Sequence, residues 1–299
     1  GSNAALSLQA TDALTLIGTV SSTGDMMLGG GDVLLSDVTV GSALDINATG
    51  AVTQTAGTAL NVTSGSTIDA ASLTLTHLDN QLGGETELNV TGDTDLRALG
   101  NISFAASTLG GTLNVLVDGI ISQTGAMAVT GPMSLTAGTD EIITLGNVAN
   151  TFAGLVTVAG ENDVTLAAAS GIALQGVVAR DLNIDAGGAV DLGALNIGGT
   201  LDLTAASLTD SAAVTVAGAS TLTTVGGDIT LDNGTAFAGV FNVTSAENLS
   251  VLATGVLTLG DITTTDTAGF TAAGAITQTT TSMLNLGGTS SMVVGTVDA

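Results

Sequence analysis

Apolar and polar residues alternate along this chain in short three-residue units: Leu73-Thr74-Leu75, Leu88-Asn89-Val90, Val164-Thr165-Leu166, Leu182-Asn183-Ile184, Leu201-Asp202-Leu203, Leu257-Thr258-Leu259 and Leu284-Asn285-Leu286. A period of two puts the outer pair on one face and the polar middle residue on the other, the pattern of a strand with one buried side. Thr, frequent at the middle position, suits a strand. No 3.6-residue periodicity competes, and 42 Gly among 299 residues oppose helix.

The spacing of the units predicts how the strands stack. Val164, Leu182 and Leu201 begin equivalent strands at intervals of 18 and 19 residues, and Ile172, Val190 and Leu208 begin a second series at 18 and 18. Two series advancing together describe a coil of that length. Gly171, Gly187-Gly188 and Gly198-Gly199 fall between strands, where the backbone must turn.

A longer repeat lies on top of this one. Gly-Ala-Val-Thr-Gln-Thr from Gly50, Gly-Ile-Ile-Ser-Gln-Thr from Gly119 and Gly-Ala-Ile-Thr-Gln-Thr from Gly274 share a motif, with Ala206–Ser211 a degenerate copy. Their markers Gln54, Gln123, Asp210 and Gln278 are separated by 69, 87 and 68 residues, so the middle interval is longer by one coil. Gaining a whole coil without harm is a property of stacked folds in which each coil touches its neighbours; a barrel or sandwich would lose its register. The expected fold is all-β: a right-handed parallel β-helix (β-solenoid) of roughly 15 coils of about 18–22 residues. Residues 1–4, Gly1-Ser2-Asn3-Ala4, read as a tag-derived scar, and residues 5–299 as a single continuous β-helix segment with three multi-rung repeat blocks.

Composition narrows the function. Asp and Glu number 27 against 2 Lys+Arg, giving a formal net charge of −25. Arg97 and Arg180 are the two cations, too few to neutralise phosphates, so no nucleic acid is expected as a partner. No apolar stretch approaches the length of a membrane span, so no membrane insertion is expected. With 44% hydrophobic and 10% charged residues the chain has apolar surface to bury, and with 2% aromatics its core should be a narrow bore of Leu, Val, Ile and Ala. Cysteine is absent, so no disulfide staples it.

The segment Asn162–Leu174, the Gly-x-Ile-Thr-Gln-Thr motif and units such as Leu201-x-Leu203-Thr204-Ala205 resemble the repeat regions of filamentous-haemagglutinin-like exoproteins. These are large bacterial surface adhesins exported by two-partner secretion, and autotransporter passengers are built in the same style. The resemblance covers nearly the whole chain. It implies a secreted or bacterial cell-surface location and a structural stalk segment, a rigid rod that presents other domains for adhesion. Neighbouring repeats of the same parent chain would be its partners, with end-to-end self-association of the isolated fragment. The alternative is a lateral-face binding module for a host or matrix glycan or protein, and the third reading is a polysaccharide-processing β-helix.

The chemistry-bearing residues fit the non-enzymatic reading better. His77 has no second histidine and no cysteine to join it. Arg97 and Arg180, which a polysaccharide lyase would use, are expected to pair with a nearby acid such as Asp95 or Asp181. Acidic pairs for glycoside hydrolysis occur at Asp140-Glu141, Glu161/Asp163 and Glu85/Glu87, but no Trp or Tyr is present to stack a sugar. Adjacent strand residues diverge, whereas i, i+2 pairs share a face. Glu161 and Asp163 are therefore the candidate calcium ligands, with Asp232-Asn233-Gly234 behind them; no other cofactor and no catalytic residue is expected. Gln54, Gln123 and Gln278 are expected in buried amide ladders.

Overall fold

The structure, a computed structural model, describes residues 4–295; of residues 1–4, expected as a scar, Gly1, Ser2 and Asn3 lie outside these. Among the described residues there is no helix, and every strand pairing is parallel. The chain is an all-β parallel solenoid of about fifteen coils. It divides into two compact units, Gly1–Gly154 and Leu155–Ala299.

In the first unit each early coil has three strands. The first coil contains Leu6–Gln9, Leu14–Thr15 and Thr19–Ser22; the second contains Met26–Gly30, Val33–Leu35 and Asp37–Val40. Pairing runs in register from Leu6 to Met26, Leu44, Ser66 and Thr86. Alternation then does the rest: Leu28, Ile46, Ile68 and Leu88 stack in one fully buried column, while Met27, Asp45, Thr67 and Glu87 face outward on the same strands. Burying each such aliphatic side chain contributes about 1.5–3 kcal/mol before chain entropy is counted.

One ladder in this unit breaks. Gln81–Leu82 pairs with Asn61–Val62, yet the next strand on that side, Ile102–Phe104, pairs with Glu85 and Thr86 instead. The chain steps across at Gly83-Gly84. Gly84 has φ +71 and lies so close to the preceding coil that a Cβ there would overlap the Ser64 carbonyl oxygen, which is why glycine occupies it.

The second unit follows the predicted spacings. Val164 pairs with Leu182 and Leu182 with Leu201, while Ile172 pairs with Val190 and Val190 with Leu208. Several of its strands, such as Ile172–Val178 and Ala189–Ile197, run long and bend at a register shift between Leu174 and Gly176. The five Phe residues are all buried; Phe237 and Phe241 pack with ring centroids 4.6 Å apart.

Candidate functional site

The polar sheath has a repeated task at the turns. A backbone N–H that enters a strand from a turn needs an acceptor, and the side chain supplying it belongs to the preceding coil. In the first unit, carboxylate oxygens of Asp25, Asp32, Asp37 and Asp93 accept from the N–H groups of Ala43, Ala51, Ala59 and Thr112 at 3.2, 2.8, 3.0 and 2.8 Å. Asn101 does the same for Ile120 at 2.9 Å. In the second unit, Asp163 accepts from Asp181 at 3.2 Å, Asp181 from Thr200 at 2.7 Å, Asp228 from Asn248 at 3.1 Å and Asp261 from Met283 at 2.8 Å.

These bonds give eight of the 27 acidic residues a structural task. An ionised carboxylate only accepts, and Lys or Arg cannot accept at all, so a turn that must receive a backbone N–H selects Asp or Asn. At Asp25 and Asp181 the bonds also favour the ionised form. The Asp25 carboxyl lies below the usual range because the Ser42 hydroxyl and then the Ala43 N–H donate to it. Asp181 is lowered by the Thr200 N–H, then by the Thr200 hydroxyl, with Arg180 adding a smaller attraction.

The glutamines behave differently from the expected ladders. Gln54 does not stack on another Gln; it forms a reciprocal amide pair with Asn80, Nε2 donating to Asn80 Oδ1 at 2.7 Å and Asn80 Nδ2 donating back to Gln54 Oε1 at 3.1 Å. Asn80 is fully buried, and its Oδ1 also receives the Leu60 N–H at 2.8 Å. Gln123 and Asn150 repeat the arrangement at 2.9 and 2.8 Å. At the third marker the pair becomes Asp210 and Thr235, whose hydroxyl donates at 2.9 Å. Gln278 is exposed and donates to the Ser282 carbonyl at 2.8 Å. For Gln54, Gln123 and Asp210 the partner lies 26, 27 and 25 residues on, more than a coil away, so the strand period carries no trace of it.

The other predicted residues are scattered. Arg180 pairs with Asp163 across a coil, Nε to Oδ1 at 3.8 Å, rather than with its neighbour Asp181. Among the described residues Arg97 makes no ion pair. His77 Nδ1 receives the Asp79 N–H at 3.2 Å and lies 3.9 Å from the Asp79 carboxylate. Among the described residues no group of three or more His, Cys, Asp or Glu, at Glu161 and Asp163 or elsewhere, is placed to hold a metal ion. Asp163 Oδ1 is shared between Arg180 Nε and the Asp181 N–H. At Asp232-Asn233-Gly234, where the strand Ile229–Phe237 shifts register, the Asp232 and Asn233 N–H groups both donate to the Asp210 carboxylate. Glu85 and Glu87 do share a face, on either side of fully buried Thr86.

That face carries a concavity the sequence did not announce. A trough of about 670 Å³ runs across successive coils of the first unit, with the Glu87 column on one side and the Glu85 column on the other.

Four stretches of the chain, residues 24–89, 91–159, 179–244 and 246–298, match the family described as repeats of unknown function, DUF5649. One of the markers Gln54, Gln123, Asp210 and Gln278 falls in each. Residues 160–178, between the second and third stretches, amount to one coil. No curated protein and no solved structure matches the chain. Repeating motif, coil and cross-coil polar pair together, over most of its length, the chain belongs to the DUF5649 repeat family.

Proposed function

We propose that the chain is a non-enzymatic structural stalk segment of a large secreted or cell-surface bacterial adhesin, of the filamentous-haemagglutinin-like kind, holding other domains away from the surface. The observation that supports this reading is the use made of the polar residues. Carboxylates and amides that an enzyme would converge on a substrate are spent here, coil after coil, on the backbone of the next coil. The partners on this reading are neighbouring repeats of the same parent chain. End-to-end self-association of the isolated fragment follows from the same stacking, and sedimentation across a concentration series tests it.

A second reading, a lateral-face binding module, draws on the trough in the first unit. The test of both is a glycan array and a cell-binding assay on the isolated chain, alongside small-angle scattering. Silence in the binding assays with scattering from a rod supports the stalk; saturable binding supports the lateral module; a compact particle with polysaccharide turnover defeats both.

A further inference from the structure

The trough runs along the stacking direction, so its walls are columns of residues from successive coils. One wall carries Asp25 and Glu85, with Ala43 and Gly65 between them; the other carries Met27, Asp45 and Glu87. The floor is formed by strand backbone above buried Met26 and Leu44. Small residues between the acids keep the first wall low, and Met27, 46% exposed, offers a thioether surface on the second. At ~4.8 Å per coil the trough is roughly 20 Å long, enough for about six residues of extended peptide.

Both walls carry acids, and neither cation of the chain is among the residues that line the groove. Asp25 is held ionised by Ser42 and Ala43, so its charge persists at neutral pH. Carboxylates at different heights on facing walls favour a ligand that presents cations to both sides along its length. We infer that this trough is a docking groove for an extended, arginine- or lysine-bearing peptide segment of a partner protein. The inference deepens the lateral-face reading and rests on it. Recognition comes from side chains, because the peptide lies across the strands and cannot join their ladders. A neutral glycan would leave the acids without counter-charges, and the low wall offers no aromatic ring to stack a sugar.

The test uses the whole chain and a fluorescent hexa-arginine peptide, followed by anisotropy at physiological salt, with hexa-glutamate as the reference. The double variant Asp45→Asn with Glu87→Gln is compared with Asp185→Asn plus Asp202→Asn, which removes the same charge from exposed strand positions of the second unit. The groove predicts saturable binding that weakens about tenfold in the first variant and less than about twofold in the second. Equal weakening in both reduces the effect to the general field of an acidic protein and overturns the groove, as does absence of binding. Circular dichroism confirms that both variants fold. If hexa-arginine fails while the glycan array or cell assay shows saturable binding, the peptide groove is wrong and the lateral-face reading survives.

Discussion

Removing the buried amide of Asn80 tests whether the cross-coil pairs hold the solenoid together. Asn80 takes part in four hydrogen bonds: it accepts from Leu60 N–H at 2.8 Å and Gln54 Nε2 at 2.7 Å, and donates to Gln54 Oε1 at 3.1 Å and the Arg97 carbonyl at 3.2 Å. At about 1 kcal/mol net per bond, Asn80→Ala should cost about 4 kcal/mol. The buried Leu60 N–H, left with no acceptor, holds the figure near that value even if the exposed side of the turn recruits water. Gln54→Ala breaks the two amide–amide bonds, the bond to the Thr58 carbonyl and the bond accepted from the His77 N–H, so about 4 kcal/mol is expected. The two losses share the reciprocal pair, and a double-mutant cycle should return a coupling of about 2 kcal/mol. Urea unfolding followed by circular dichroism gives the totals, and hydrogen exchange at the Leu60 amide reports the local opening that a stack of coils permits. A loss below about 1 kcal/mol, with Leu60 exchange unchanged, would refute the reasoning.

Two further outcomes follow from the same geometry. Gly160 is in register with Val178, so deleting Glu161–Val178 removes one coil in phase; the shortened chain should keep a β-sheet circular dichroism spectrum and a cooperative melt, and an unfolded product would contradict independent stacking. Asp181→Asn retains an oxygen for the Thr200 N–H but cannot titrate. Because the folded carboxyl lies below its usual value, its stabilisation is complete above the unfolded pKa of about 3.9 and is lost as pH falls through the folded value. The melting-temperature advantage of the wild type over this variant should therefore shrink on acidification, and a difference independent of pH would exclude the effect.

What the sequence made legible was whatever repeats with the strand. The buried columns through Val164, Leu182 and Leu201 and through Ile172, Val190 and Leu208 fall where the 18- and 19-residue spacings place them. Phe152 and Phe237, matched in sequence by Asn150-Thr-Phe-Ala-Gly and Thr235-Ala-Phe-Ala-Gly, are both buried. The polar bonds were harder to read, because their partners lie in turns whose lengths vary. Gln54 meets Asn80 across one such turn, and Arg180 reaches back to Asp163 in preference to the acid beside it. A signal for the turn acceptors was nevertheless present: Asp25, Asp32, Asp93, Asp163, Asp181 and Asp228 each immediately precede the first inward residue of a strand. Taken as surface charge alone, these residues look interchangeable; taken with the coil length, each points at a backbone N–H one coil ahead.

The turn carboxylates also make this chain a polyelectrolyte. A net charge of −25 over about fifteen coils is roughly 1.7 charges per coil, and at ~4.8 Å per coil this is about one charge every 3 Å of stacking. Duplex DNA carries one per ~1.7 Å. At such linear density mobile cations gather along the surface, so any cationic partner must displace them, and its affinity will fall steeply as salt rises.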